Sequence, residues 1–359
     1  MSNHAWTQDG PENVAPGVHR IPLPLPSDGL RAVNVYAIET GDGLVLIDSG
    51  WALAEARTQL AQALKTLGHG LADVRSFLVT HVHRDHYTQA VVLRREFGSR
   101  ICLGADERAS LRLAAEPGLS PIAPQIRVLH QAGAGDLARQ IAGITGDEAG
   151  EAWLWVDPDE WITGGSRLTA GDRALEVIAT PGHTFGHVVF RDAVAGLLFA
   201  GDHVLPHITP SIGFEPAPGR LPLAAYLESL RRVRAVPDTA LLPAHGPVTG
   251  SVHTRVDELL AHHATRLTQT ADAVRRGAST GLDVAQVLRW TRRERALADF
   301  DVFNQMLAIN ETVAHLDVLV ATGELTVTGT TGAGTTGATG TPIRRYQLAP
   351  PRPAGPAGD

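Results

Sequence analysis

The segment THVHRDHYTQA concentrates imidazole and carboxylate side chains on a few positions. His81, His83, Asp85 and His86 follow directly after an apolar run at residues 77–79. Histidines two apart on an extended loop can point to one side, whereas the aspartate and the next histidine follow as the chain turns. A folded protein has no structural reason to gather these groups on one loop after a strand. The spacing therefore predicts metal binding, and it suits two ions better than one.

Three further metal-ligating side chains follow other strand-like runs. His183 lies in TPGHTFGH, Asp202 in AGDH and His245 in PAHGP. In layered α/β folds ligands gather at the edge formed by the carboxyl ends of strands, so we expect these residues to join the first motif. His187 and His203 lie beside motif residues and are candidates either to support the ligands by a hydrogen bond or to line the pocket.

The other histidines are interpreted as core or surface residues that hold no metal. This group consists of His19, His69, His130, His253, His262, His263 and His315, with His207 also ranked below the candidates.

Neutral imidazoles and carboxylates are ligands that suit Zn²⁺, and two Zn²⁺ ions are the predicted cofactor, with Fe or Mn as alternatives. Three or four protein ligands for each ion leave positions for water and substrate, which is typical of a catalytic site. A metal lowers the pKa of bound water to about 7. A hydroxide shared by the two ions could then attack a carbonyl or phosphorus centre. Asp85 is a candidate to transfer the proton.

The elements that must position these residues are those of a layered α/β domain. Short β-type runs alternate with helical stretches and Gly/Pro turns from residue 18 to about residue 250. Apolar residues at helical spacing predict covering helices at residues 51–67 and 221–236. The Pro-, Gly-, Ala- and Trp-rich segment 104–165 is expected to be an irregular or helical cover over a pocket. The predicted strands lie at residues 33–38, 44–47, 76–79, 100–103, 174–178, 188–190, 196–199 and 240–242.

A different pattern begins after residue 250. Three helical stretches precede two β-type runs, which is the order of a small winged-helix module, and we predict a winged-helix-like domain at residues 251–348. Residues 1–17 and the Gly/Thr-rich loop 328–341 are expected to be flexible, and the Pro/Gly-rich tail 349–359 to be disordered. The helical stretches lie at residues 252–276, 283–289 and 302–322, and the β-type runs at 325–328 and 344–348.

Composition bounds the class of protein. The 359 residues are 43% hydrophobic and 19% charged, as in an ordinary globular protein. No apolar stretch reaches the roughly 18 to 20 residues that cross a bilayer, and the N-terminal residues lack a secretory signal pattern, so we expect a cytoplasmic protein without a membrane partner. The single cysteine, Cys102, excludes an intramolecular disulfide and is expected to be buried and inert on a strand. The formal charge of −7 disfavours binding to a nucleic-acid backbone.

Five motifs in order resemble those of the metallo-β-lactamase fold hydrolases. The family pattern is an aspartate after an early strand, H-x-H-x-D-H, a lone histidine, a lone aspartate and a last histidine. The matching residues, across 18–250, are Asp48 in LIDSG, then His81, His83, Asp85 and His86, then His183, Asp202 and His245. The resemblance implies the α/β fold class, as an αββα sandwich that carries the catalytic site.

The resemblance also implies a role for each motif residue. Asp48 would orient a ligand or the backbone of the motif loop, since metal ligands are normally held by a further hydrogen bond. Asp48 and Asp85 are therefore the catalytic candidates beside the ions. The implied ligand sets are His81, His83 and His183 for one ion and Asp85, His86 and His245 for the other, with Asp202 bridging both.

The substrate stays open between two enzymatic hypotheses. The joint presence of Asp85 and His86 resembles the glyoxalase II and lactonase branch, which implies hydrolysis of a thioester, ester or lactone of a small acyl substrate. The motif with Arg84, together with the winged-helix-like region, is similar to the β-lactamase-like protein 2 family. Some members of that family cut single-stranded RNA, and others release acyl groups from carrier proteins. Tyr87-Thr88-Gln89 departs from the small residues often found there.

Acyl hydrolysis is the favoured hypothesis. The acidic net charge and the segment 104–165 support it, although no basic, Tyr-bearing patch for glutathione is evident, which argues against glyoxalase II activity itself. A single-strand-specific endoribonuclease is the alternative, for which the basic run WTRRER at 290–295 is short and balanced by acidic residues. A DNA-binding regulator ranks a distant third, because a recognition helix needs more basic side chains. The winged-helix-like region is expected instead to wall the pocket or to form a homodimer contact.

Overall fold

A computed structural model describes residues 5–26, 29–144, 148–329 and 342–350. The chain divides into two compact units. The first unit comprises Met1–Ile122 and Asp147–Leu260, and the second comprises Ala123–Gly146 and Ala261–Asp359. The predicted domain limits at 250 and 251 stay a prediction. The division into units differs from them in two ways, since it groups residues 123–146 with the C-terminal part and lies after Leu260.

The first unit contains a seven-stranded mixed sheet in sequence order. Strands β1 to β4 pair antiparallel, whereas β4 to β7 pair parallel. The parallel strands therefore end at one edge, where the loops that follow them meet. The strands are β1 (Glu12–Ala15), β2 (Val18–Pro24), β3 (Ala32–Thr40), β4 (Gly43–Ile47), β5 (Val74–Val79), β6 (Arg100–Gly104) and β7 (Glu160–Ile162).

A second sheet of five strands has the order β12-β11-β10-β9-β8, in which only β11 and β12 pair parallel. Its strands are β8 (Arg167–Ala170), β9 (Arg173–Ala179), β10 (Val188–Asp192), β11 (Leu197–Gly201) and β12 (Ala240–Pro243).

Nine α-helices lie in the described part of the chain. They are α1 (Ala54–Thr66), α2 (Arg84–Phe97), α3 (Arg108–Ala115), α4 (Ala123–Gln131), α5 (Gly135–Ile144), α6 (Pro222–Arg234), α7 (Val252–Arg275), α8 (Gly281–Val287) and α9 (Val302–Ala321). No helix in these ranges is both long and apolar enough to span a bilayer.

Two apolar layers hold the first unit together. One layer packs α1 and α2 against the seven-stranded sheet, with Leu60 and Val91 fully buried against Phe77. The other lies between the two sheets, where Tyr36 meets Phe199 edge to face with ring centroids 5.5 Å apart. Burial of apolar surface on both faces of the long sheet fixes which side chains point to which layer. The predicted α/β fold class is confirmed.

Three predictions from the sequence can be compared with the structure outside the regular core elements. Cys102 is buried on β6, and burial raises the pKa of its thiol to about 11. β1 falls inside the segment that the sequence predicted to be flexible, and it is held by pairing with β2. Segment 104–165 contains α3, α4, α5 and β7. Residues 1–4, 330–341 and 351–359, which hold most of the other segments predicted to be flexible or disordered, lie outside the described residues.

The second unit combines helices with a short hairpin. α9 buries Met306, Ile309 and Leu316. Thr280 is the N-cap residue of α8, and its hydroxyl accepts a hydrogen bond from the backbone N–H of Asp283. β13 (Leu325–Gly329) and β14 (Arg344–Leu348) pair antiparallel. The helices and strands predicted after residue 250 are therefore present, and the winged-helix-like arrangement stays a prediction.

Candidate metal centre

The H-x-H-x-D-H motif occupies the turn from β5 into α2. β5 ends at Val79, and His83 is the N-cap residue of α2, with its carbonyl accepting the N–H of His86 at 3.0 Å. Asp85 lies in the first helical turn, where the helix dipole favours negative charge. The end of β5 and the start of α2 therefore determine the positions of all four motif residues.

The remaining predicted residues come from loops of the second sheet. His183 lies four residues after β9, Asp202 directly follows β11, and His245 lies two residues after β12. Two groups of side chains result, and within each group the ligand atoms lie within 4.8 Å of one another. The groups are His81, His83, His183 and Asp202, and Asp85, His86 and His245.

Three imidazole nitrogens of the first group face each other. His81 Nε2 lies 3.0 Å from His83 Nδ1 and 3.2 Å from His183 Nε2, and the last two atoms are 3.0 Å apart. His183 Nδ1–H donates to the carbonyl of Ser211, and His83 Nε2–H donates to that of Phe214, each at 2.6 Å. Since a neutral imidazole carries one hydrogen, the facing nitrogens of these two rings hold lone pairs.

Burial keeps these rings neutral. It lowers the pKa of His83 to about 3, helped by the neighbouring His183, and it holds the pKa of His81 well below its usual range. Facing lone pairs of neutral rings repel each other unless a cation lies between them. Around a tetrahedral ion with bonds of about 2.0–2.1 Å, nitrogens lie about 3.3 Å apart, which is close to the spacing found here. The donor set fits a transition-metal ion.

The second group places two imidazoles beside a carboxylate. His86 Nε2 and His245 Nε2 each lie 3.4 Å from Asp85 Oδ2. Their other nitrogens donate to Asp48 Oδ2 at 2.9 Å and to the carbonyl of Ala32 at 2.7 Å. Burial alone would lower the pKa of His86, but the carboxylates around it outweigh burial and raise that pKa. These carboxylates therefore favour a positive charge at this point, and a metal ion would provide one.

Asp202 lies between the two groups. Its Oδ1 is 3.3 Å from His245 Nε2, and its Oδ2 is 3.4 Å from His183 Nε2. Among the described residues, Asp202 Oδ1, His86 Nε2 and His245 Nε2 are buried and make no hydrogen bond. Buried polar atoms are rarely left in this state, so the arrangement fits ions on both sides of Asp202.

Asp48 orients a histidine in each group through hydrogen bonds. Its backbone has φ 59°, a strained region that aspartate tolerates better than most residues. Its carboxylate accepts the Thr80 N–H at 2.7 Å, the Thr80 hydroxyl at 3.0 Å and the His86 Nδ1–H. The Thr80 oxygen in turn accepts from His81 Nδ1 at 3.0 Å, which leaves the Nε2 lone pair of His81 facing the centre. These contacts are those that the predicted orienting role of Asp48 requires.

We expect Asp48→Asn to weaken metal binding by about 10- to 100-fold, the usual effect of losing an outer partner of a ligand. The amide keeps the volume of the carboxylate but removes its charge and one acceptor from His86 and Thr80. Competition with a chromogenic chelator measures the affinity. Asp42→Asn, an exposed aspartate, is the matched control, and equal affinities of the two variants would show that Asp48 does not orient the ligands.

Two further residues support the centre, and only Glu107 was missed from the sequence. His187, predicted as a candidate to support the ligands or to line the pocket, accepts the Asp202 N–H on Nε2 at 3.2 Å and contacts the Thr180 hydroxyl through Nδ1 at 2.8 Å. Glu107 is fully buried and accepts the Thr184 hydroxyl at 2.5 Å, and burial raises the pKa of its carboxyl to about 7. Nothing local marks Glu107, because its partners lie far along the chain.

The other pocket candidate, His203, is buried and packs against the ring of Tyr226 with centroids 5.3 Å apart. It is in neither group of candidate ligands. An aromatic side chain lies nearer the centre, since the Phe214 ring is 6.0 Å from that of His83. Phe185, two residues after His183 in the sequence, is 47% exposed.

Known proteins are similar to this chain over most of its length. The sequence pattern of the metallo-β-lactamase superfamily matches residues 28–245. The probable metallo-hydrolase YqjP of Bacillus subtilis is 25% identical over 319 residues, which are 86% of this chain and 92% of that protein. The β-lactamase-like protein 2 homolog of Caenorhabditis elegans is 23% identical over 291 residues, 81% of this chain and 76% of that protein.

A solved structure gives the same result. The metallo-β-lactamase family protein TTHA1429 from Thermus thermophilus is similar with a TM-score of 0.74 and 26% identity, covering 94% of this chain and 100% of that one. The matched residues 28–245 include every side chain of the two groups described above. This chain therefore belongs to the metallo-β-lactamase superfamily.

Proposed function

We propose that this protein is a dinuclear, zinc-dependent hydrolase that cleaves the thioester, ester or lactone carbonyl of a small acyl substrate. The observation that carries the proposal is the inward convergence of five imidazoles and two carboxylates, in two groups that share Asp202. Imidazole and carboxylate donors suit Zn²⁺, and a catalytic zinc ion keeps a position for water or substrate beside its protein ligands.

The chain's own residues divide the work of holding the ions. In this proposal Asp202 contributes one oxygen to each group, and Asp48 fixes the imidazole orientations through His86 and Thr80. Bound ions would supply Lewis acidity and lower the pKa of a coordinated water to about 7. The proposed ligands are His81, His83 and His183 for one ion, Asp85, His86 and His245 for the other, and Asp202 for both.

Asp85 is the proposed proton carrier. Its side chain is 17% exposed, whereas those of Asp202 and Asp48 are 9% and 2% exposed. Asp85 is therefore the carboxylate of the centre with the best access to solvent and to a leaving group. A positioned acid or base must lie within reach of the proton that it moves, and Asp85 is the carboxylate to which we give that role because it is the most exposed of the three.

Two aromatic side chains support an acyl substrate. Phe214 lies against His83, and Phe185, two residues after His183, is 47% exposed. An acyl chain would gain about 25 cal/mol for each Å² of apolar surface that it buried against them. Single-stranded RNA would instead need basic side chains along a groove. The short run at 290–295 and the formal charge of −7 offer little support for such a groove.

A substrate panel tests the proposal. We expect the zinc-loaded protein to hydrolyse acyl-CoA or acyl-lactone substrates and to leave single-stranded RNA intact, as followed by thiol release, by acid release and on denaturing gels. Asp85→Ala should lower the acyl hydrolysis rate by about 10²-fold or more, the usual contribution of a positioned acid or base.

Asp172→Ala, at an exposed position in the turn between β8 and β9, is the matched control and should keep the wild-type rate. Cleavage of RNA alone, lost in Asp85→Ala, would overturn the acyl proposal in favour of an endoribonuclease. Equal rates for Asp85→Ala and the control would contradict the role given to Asp85.

A further inference from the structure

A third group of metal-ligating side chains lies in the second unit. His262 and His263 are neighbours on α7, and Glu311 lies on α9. One ligand atom from each residue falls within 4.8 Å of the other two. These histidines were expected to hold no metal, and nothing in the local sequence links them to a glutamate 48 positions after His263.

Hydrogen bonds to His315 determine which nitrogen of His263 carries the hydrogen and which carries the lone pair. His315 Nδ1 contacts the backbone carbonyl of Glu311 at 2.8 Å and therefore donates its hydrogen to it. His315 Nε2 then accepts, so His263 Nδ1, at 3.1 Å, is the donor between the two rings. His263 Nε2 consequently carries a lone pair. This is the arrangement that commonly orients a metal-ligating histidine, in which the second nitrogen donates to a fixed acceptor.

Burial keeps both inner histidines neutral. It lowers the pKa of His263 to about 2, with a further contribution from His315, and lowers the pKa of His315 to about 4. Neutral imidazole is the form that binds metal. Burial also raises the pKa of the Glu311 carboxyl, so a bound cation would stabilise its ionised form.

One positive charge lies close to the group. Arg266 lies near enough to affect the pKa of both His263 and Glu311, and repulsion from it should lower metal affinity. Its guanidinium lies over the Trp290 ring, 4.4 Å from the centroid, and donates to the carbonyl of Arg289 at 3.0 Å. We therefore expect a metal ion to bind this group with lower affinity than the two groups of the first unit.

We propose that His262, His263 and Glu311 form a third metal site, which binds a divalent transition-metal ion such as Zn²⁺ and links α7 to α9. The ligand atoms lie within 4.8 Å of one another, and His262 is exposed, so its side chain has room to adjust towards the spacing of about 3.3 Å that a tetrahedral ion requires. Two imidazoles and one carboxylate leave the fourth position to water, a ligand set known for Zn²⁺. The proposal stands independently of the function proposed for the first unit.

Zinc titration of the full chain, stripped of metal with a chelator, tests the proposal. Bound Zn²⁺ per chain is measured by mass spectrometry at equal free Zn²⁺ for wild type, His262→Ala and the control His253→Ala, a histidine on the same helix outside the group. We expect one equivalent fewer in His262→Ala than in the other two proteins. Hydrolytic turnover of His262→Ala should stay within about twofold of wild type, because the residue lies outside the catalytic groups.

A second variant tests the hydrogen bond from His263 to His315. His315→Leu removes the acceptor that orients His263, so the affinity of the third site for Zn²⁺ should fall by about 10- to 100-fold. The affinities of the other sites should stay unchanged. Far-UV circular dichroism establishes that each variant is folded. The proposal is overturned if wild type and His262→Ala bind the same number of Zn²⁺ ions at every free Zn²⁺ concentration that keeps the protein in solution. It is also overturned if His253→Ala loses as much bound Zn²⁺ as His262→Ala. Either result leaves the assignment of the first unit untouched.

Discussion

His83→Ala should abolish metal binding at the first group and most of the hydrolytic activity together. His83 Nδ1 faces two other imidazole nitrogens at 3.0 Å, so its removal leaves an ion with two nitrogens from this group. Lewis-acid stabilisation is typically several kcal/mol, which corresponds to a loss of about 10³-fold in turnover. Elemental analysis of the purified protein gives the metal content, and the preferred acyl substrate gives the rate.

The matched control for this variant is His69→Ala, since His69 lies beyond the end of α1 and in none of the three groups. This variant should retain the wild-type metal content and rate. Full activity of His83→Ala on every acyl and nucleic-acid substrate tried would refute the metal mechanism as a whole.

Asp202→Asn should leave the centre able to hold only one of its two ions. Asp202 presents one oxygen to His183 and the other to His245, and a neutral amide offers a single oxygen and no charge. We expect the metal content to fall to about one equivalent at the catalytic groups, and turnover to fall by about 10²- to 10³-fold, because one Lewis acid is lost. Isothermal titration with Zn²⁺ counts the remaining equivalents.

Asp192→Asn controls for the loss of a buried aspartate. Asp192 is buried at the end of β10 and pairs with Arg173 at 2.6 Å, away from the candidate ligands. Its replacement should lower stability without changing metal stoichiometry. If Asp202→Asn bound as much Zn²⁺ as this control and kept the wild-type rate, Asp202 would not be the shared ligand.

The sequence alone determined the candidate ligands of the first unit. Each of the seven follows an apolar strand-like run, and the structure brings all seven into two adjacent groups. Strand ends are encoded locally, by a short apolar run followed by polar or small residues, and such local patterns survive in a single sequence. The predicted α/β fold class rested on the same patterns and on the family resemblance.

Other elements could not be placed from local patterns. β1 and β7 are edge strands of three or four residues, and they are held mainly by the backbone of a neighbouring strand. Such pairing depends on a partner elsewhere in the chain and leaves little periodicity in the strand itself. Within 104–165, α3 and α5 bury only two or three side chains each, which is too few for a clear helical pattern.

Only the tertiary structure determined how the ligands are held and which other groups assemble. The carbonyls of Ala32, Ser211 and Phe214 select the imidazole tautomers, and backbone carbonyls have no signature in the sequence. The meeting of His263 with Glu311 likewise depends on how two helices pack. A sequence specifies which side chains each strand or helix offers. Contacts between residues far apart in the chain arise from packing, so the orientation of each ligand is decided by the fold as a whole.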